Sequence, residues 1–123
     1  MEKHIEQIDG RPRIVVTMDI PWGELKIDGS FSGTASVKLK RLNALEIGEA
    51  SKVGMKASFF GNGQSKVDMD QFAINQAMVL KSIVEAPFTI SAVEVGALDQ
   101  NQYNPILNAV NELNGLTAEK KAN

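Results

Sequence analysis

An α+β fold, with a small N-terminal antiparallel β-sheet followed by three α-helices, is what the order of hydrophobic patterns along the chain predicts. Three observations lead there. Apolar and polar residues alternate over much of the first third of the sequence, Asp-Gly dipeptides separate the alternating stretches, and beyond about residue 42 apolar residues recur at helical spacing behind repeated capping signatures.

The strands come first. In "RIVVTMDI", Ile14, Val16, Met18 and Ile20 alternate with Val15, Thr17 and Asp19, the period-2 signature of a strand with one buried face. In "FSGTASVKLK", Phe31, Gly33, Ala35, Val37 and Leu39 alternate with Ser32, Thr34, Ser36, Lys38 and Lys40. Asp9-Gly10 and Asp28-Gly29 are dipeptides favoured by two-residue hairpin turns, whose central positions need positive φ. A short sheet over about 4–41 follows, with Pro21 expected to break it between two strands.

Three helix starts share one pattern. Leu42-Asn43-Ala44-Leu45-Glu46-Ile47, Val67-Asp68-Met69-Asp70-Gln71-Phe72 and Leu98-Asp99-Gln100-Asn101-Gln102-Tyr103 each place Asn or Asp three residues before Glu or Gln, between two apolar residues. That is a capping box inside a hydrophobic staple: the cap accepts from a free backbone N–H, and the Glu or Gln reaches back. Helices are expected over about 44–57, 69–85 and 105–114. The first contains Gly48 and Gly54 and is the weakest. The second carries Met69, Ala73, Ala77, Leu80 and Val84 on one stripe, widened by Phe72, Ile74, Met78 and Ile83, and stops before Pro87. Pro105 suits a first helical position, so a short turn at 99–103 should precede a last helix carrying Ile106, Leu107, Val110 and Leu113 and closed by Gly115. Residues 1–115 read as one domain and 116–123 as a flexible polar tail.

Composition narrows the function classes. The 123 residues carry a net charge of −2, which offers no bulk attraction to nucleic acid or anionic lipid. Aromatic residues make up 6%, too few for an extended base-stacking surface. With no Cys there is no disulfide framework, thiol nucleophile or cysteine metal cage. The charged start "MEKHIEQIDG" lacks a signal-peptide core, and no apolar run approaches the roughly 18 residues of a membrane span, so a cytoplasmic protein is expected.

The stretch that looks most like chemistry is "FFGNGQSKVD", residues 59–68. A phosphate loop needs G-x-x-x-x-G-K-[ST] after a buried parallel strand. Here the glycines stand two apart, the order is Ser65-Lys66, and a helix end precedes. A connection in which Asp68 caps the next helix explains it better. His4 is the only histidine, and it has no second His or Cys to complete a zinc set. Glu46, Glu49, Asp68 and Asp70 suit caps and solvated helix faces rather than a catalytic pair. Lys38, Lys40 and Arg41 read as the solvent face of a strand, with partner binding as the lesser reading. Met18, Met55, Met69 and Met78 could fill the core or line an adaptable groove, and core filling is favoured. Neither a catalytic set, a cofactor site nor a metal site is expected.

The layout does suggest a family. A strand reading "ASVKLKRLNALEI" that runs into a helix, a polar interruption, a long helix ending "AMVLKSIVEAPF", and "ALDQNQYNPILNAVNELNG" at the end resembles the tail assembly chaperones of long-tailed bacteriophages and prophages. The resemblance covers about residues 34–115 and lies in layout rather than in a catalytic motif; Pro105 is a departure from it. It implies a non-enzymatic protein that binds the tape measure protein, and in some settings the tail tube protein, keeping the former soluble while the tube polymerises. It implies no nucleic acid and no membrane partner. The residues expected to meet the client are Ile74 and Met78, on an exposed edge of the second helix, and Leu107, Val110 and Leu113 on the last. A homo-oligomer is compatible, although no heptad seam specifies one. The alternative is a small structural tail or baseplate subunit that assembles through its sheet edge.

Overall fold

Asp9 and Gly10 adopt φ angles of 52° and 77°. They close a two-residue hairpin between β1 (Lys3–Ile8) and β2 (Arg11–Leu25), with Ile8 opposite Arg11. The computed structural model describes residues 2–59 and 65–115. In the second hairpin, the Gly29 N–H donates to the Lys26 carbonyl, so Ile27 and Asp28 are the central turn residues. Gly29 (φ 89°) follows them, and the Asp28 carboxylate accepts from the Ser30 N–H and hydroxyl. Asp28-Gly29 therefore belongs to a longer loop than a two-residue turn. It leads into β3 (Phe31–Lys40), antiparallel to β2.

Pro21 does not break β2. It sits within the strand, opposite Thr34 of β3. The Arg41 N–H donates to the Ile14 carbonyl, so the even-numbered residues of β2 turn their backbone groups toward β3 and the odd-numbered ones turn theirs away. The missing N–H of Pro21 thus falls on the side that β1, paired only as far as Val16, does not reach. The Pro21 carbonyl on that side accepts from the Gln102 carboxamide at 3.1 Å.

The helical half departs from expectation in five places. Helix α1 (Ala44–Val53) has the anticipated Asn43–Glu46 capping box but ends at Gly54. It gives way to β4 (Met55–Phe59), which pairs with β5 (Ser65–Met69) as a two-stranded sheet. Residues 60–64, which include most of the glycine-containing loop, lie outside the described residues, as does the tail 116–123. Asp68 falls in β5 and Asp70 caps α2 (Gln71–Ser82), accepting from the Ala73 N–H. Ile83, Val84 and Glu85 leave the helix as β6 (Ile83–Glu85) and pair with β3, because β-branched residues suit a strand that finishes the open side of the sheet. The sheet order is β1-β2-β3-β6. A short helix α3 (Ala92–Gly96) starts at Ser91, whose hydroxyl accepts from the Glu94 N–H.

Helix α4 (Gln100–Leu113) is continuous through Pro105. The Asp99–Gln102 capping box starts it five residues before Asn104 could, and a buried Gln102 fixes that start. The proline then costs one intrahelical hydrogen bond.

The apolar sides of sheet and helices meet in one cluster. Val16, Ile20, Val37 and Leu39 come from the sheet, Ile74, Ala77, Met78 and Val79 from α2, Val95 from α3, and Ile106, Ala109, Val110 and Leu113 from α4. The expected strand faces are those seen, with Ile14 and Met18 partly buried at their margin. Phe72, counted in the α2 stripe from sequence, is 63% exposed.

Gly48 within α1 and Gly54 at its C-terminal cap give opposite expectations. A Cβ on Gly48 meets nothing within 4 Å, so Gly48→Ala should raise stability by up to about 1 kcal/mol. A Cβ on Gly54 would stand 2.2 Å from Ile74 Cγ1 and 2.6 Å from the Asp70 carbonyl, so Gly54→Ala should cost about 1–3 kcal/mol. Urea unfolding of both variants checks the pair. Gln102→Leu, which leaves the Pro21 carbonyl without its donor, should lower stability by about 1–3 kcal/mol in the same measurement.

Candidate protein-interaction surface

The residues expected from sequence to meet a client lie inside the molecule. Ile74, Met78, Val110 and Leu113 are buried, and Leu107 is half-buried against the same cluster. Helix α2 packs against α4 as well as α1 and α3, so the edge carrying Ile74 and Met78 is covered and not exposed. The structure does bring the five together, but as core.

The face of the sheet turned away from the helices is polar and bound by ion pairs. Lys38 Nζ lies 2.8 Å from Glu6 Oε1, and Lys40 Nζ 2.9 Å from Glu46 Oε2. Arg13 donates to the Arg41 carbonyl and pairs with Glu46, which also accepts from the Asn43 N–H at 3.0 Å. His4 pairs with Glu6 in the same strand. Hydrogen bonds from Lys38 and His4 hold the Glu6 carboxyl below its ordinary value. For Glu46 burial is the largest influence and acts upward, but the Asn43 N–H with Lys40 and Arg13 together outweigh it, so its pKa too is lowered. Lys38, Lys40 and Arg41 thus lie at a strand surface, as their alternation suggests, with the first two engaged in pairs within the chain.

A concave surface forms elsewhere, where the distal end of the β2–β3 hairpin meets α3 and α4. Trp22 and Phe88 stand with ring centroids 6.1 Å apart, tilted by 36°. Together with Phe31, Ala97, Leu98 and Gln102 they line a cleft of about 270 Å³, with Glu94 at its wall. A second, larger cleft of about 510 Å³ adjoins it at Phe31, between the hairpin loop and Asn101. Exposed apolar residues neighbour the lining residues along the chain or in register: Leu25, paired with Phe31; Ile90, two residues beyond Phe88; and Val93, next to Glu94.

Three elements distant in sequence build this site. Gly23, at φ 110°, turns the end of β2 through a bulge, and the Glu24 N–H is taken by the Ser32 hydroxyl. Phe88 follows Pro87, three residues beyond the end of β6, and the α4 cap places Leu98 and Gln102. Glu94 is the one ionisable group in the two walls. The arrangement offers aromatic and aliphatic contact with few directed polar groups, which suits anchoring an apolar side chain. Among the described residues no three His, Cys, Asp or Glu side chains group as metal ligands, and no helix is long and apolar enough to cross a membrane. Sequence reasoning passed over Trp22, Phe31 and Phe88. The available signal was that the only Trp and two of five Phe flank turn or proline positions.

No family model, curated protein or solved structure matches this chain.

The Glu46 cluster generates a pH dependence. Its folded pKa is below the unfolded value, so its contribution to stability is fully present above the ordinary carboxylate value of 4.5 and disappears as pH falls through the lower folded pKa. The unfolding midpoint should therefore drop between about pH 6 and about pH 3, and drop less steeply in Glu46→Gln; thermal melts across that range check this.

Proposed function

We propose that this chain is a tail assembly chaperone: a protein without chemistry of its own that binds the tape measure protein and keeps it soluble in the host cytoplasm while tail tube subunits polymerise around it. The resemblance of residues 34–115 to that family supports the reading. The observation that carries it is the cleft between Trp22, Phe31, Phe88 and Leu98, together with the exposed apolar side chains of Leu25, Ile90 and Val93 on the elements that form it. A concave aromatic site with exposed apolar residues on its elements fits an amphipathic helix that offers side chains at i, i+3 and i+4, the pattern of a long helical client. Client contact moves in this reading from the buried stripes of α2 and α4 to the surface that α4 helps to shape. The tail tube protein is the second partner the reading admits.

Co-expression with the tape measure protein tests it. The client should shift from the insoluble to the soluble fraction and co-purify with this chain. Trp22 emission should move to shorter wavelength on complex formation, because Trp22 is the only tryptophan and lies in the cleft wall. The double variant Ile90→Glu, Val93→Glu should keep its melting temperature and lose the client. Client solubility unaffected by this chain would overturn the proposal.

A further inference from the structure

The four-stranded sheet has four stretches of backbone that no neighbouring strand covers, and three of them are short or interrupted. On the open side of β3, β6 reaches only Lys38 and Leu39, and the uncovered part before them contains Gly33. Strand β6 is only three residues long. The part of β2 beyond Val16 carries Pro21, the Gly23 bulge and a carbonyl already occupied by Gln102. Strand β1 has none of these devices: it is six residues long, with no proline, glycine or bulge, and β2 pairs along its whole length on one side.

The groups on its open side follow from register. The two-residue turn makes Ile8 and Arg11 a hydrogen-bonded pair, so His4, Glu6 and Ile8 direct their backbone groups to β2. Lys3, Ile5 and Gln7 direct theirs outward. The Arg41 N–H donating to the Ile14 carbonyl gives the same answer independently, because Ile14, opposite Ile5, faces β3 and not β1.

We infer that β1 is a self-association edge, pairing antiparallel with β1 of a second copy about a two-fold axis at Ile5. This register places Ile5 opposite Ile5 and Lys3 opposite Gln7, all outward-facing, and so uses every free backbone group of the strand. It also places His4 opposite Glu6 in both directions, setting an imidazole nitrogen against a carboxylate across the polar face. Moving the axis to Glu6 sets Glu6 against Glu6, and moving it to His4 sets His4 against His4; each uses fewer of the outward groups. On the helix side Ile5 is 70% exposed and Ile14 is half-buried beside it, and pairing two copies joins these residues into one apolar strip. The pairing is isologous and consumes the edge, so it closes at a dimer. It is independent of the client reading.

Sedimentation equilibrium of the full chain should show a reversible monomer–dimer equilibrium. Ile5→Pro removes an outward N–H while sparing the bonds to β2, so it should weaken the dimer at least about tenfold at an unchanged melting temperature. The chain has no cysteine, so crosslinking reports the register directly. Ile5→Cys brings two Cα atoms to about 5.5 Å, within disulfide reach, and should oxidise to a covalent dimer. Gln7→Cys, about 14 Å from its counterpart, should not. A monomer at every concentration, a dimer insensitive to Ile5→Pro, or equal crosslinking at positions 5 and 7 would overturn the inference.

Discussion

The structure depends on one helix being tied to the sheet at both ends by side-chain amides. At the start of α4, the buried Gln102 carboxamide accepts from the Asp99 N–H through its oxygen and donates to the Pro21 carbonyl through its nitrogen. Beside it the Asn101 amide donates to the Gly29 carbonyl in the β2–β3 loop. At the far end Asn114 accepts from the Leu42 N–H, where β3 passes into α1, and donates to the Val110 carbonyl of its own helix. Each bond contributes about 1 kcal/mol net, less than the hydrophobic burial of Ile106 and Val110. Their importance is directional. Apolar packing would tolerate a helix slid along the sheet, whereas the amides accept one position. Gln102 also gives a partner to a carbonyl that a proline strand segment leaves facing the helix, so Pro21 and α4 hold each other in place.

The two faces of the sheet are closed by different means. The helix layer seals Val16, Ile20, Val37 and Leu39. Val15 points to the other face and is equally inaccessible, although it belongs to no apolar cluster. In register it stands between His4 and Lys40. The ion pairs Glu6–Lys38 and Glu46 with Lys40 and Arg13 bring long aliphatic stems across it. Surface ion pairs contribute little individually. Here their larger effect is to hold those stems over a valine, so one face needs no second helical layer.

Much of this was legible in the sequence, and the rest was not for physical reasons. Local signals read well: the alternation in β2 and β3, the Asp9-Gly10 turn, and the capping boxes at Asn43 and Asp99 depend on residues a few positions apart. Ser91 with Glu94 was a helix start of the same form that went unread. Strand β6 was not legible, because "IVE" continues a helical stripe and becomes a strand only where β3 offers it a partner. The β4–β5 hairpin had a period-2 pattern, with Met55, Ala57 and Phe59 between Lys56 and Ser58, which a helix reading overrode. The division of Ile74, Met78 and Val110 between core and surface could not be read from an apolar stripe, since it depends on which neighbour covers it. For the same reason the cleft was invisible: Trp22, Phe88 and Leu98 are joined only by topology.

That topology makes the cleft conditional on the docking of α4. Trp22 comes from the first hairpin and Phe88 from the segment after β6, but Leu98 and Gln102 arrive only when α4 docks. The amide that seats α4 against Pro21 therefore also closes the wall of the site, and a chain in which α4 is loose has an aromatic shelf rather than a cleft. Anything that occupies the closed form and not the open one draws the equilibrium toward docked α4, in proportion to its concentration over its dissociation constant. Core, strand and site are thus parts of one equilibrium, with Gln102 at the point where they meet.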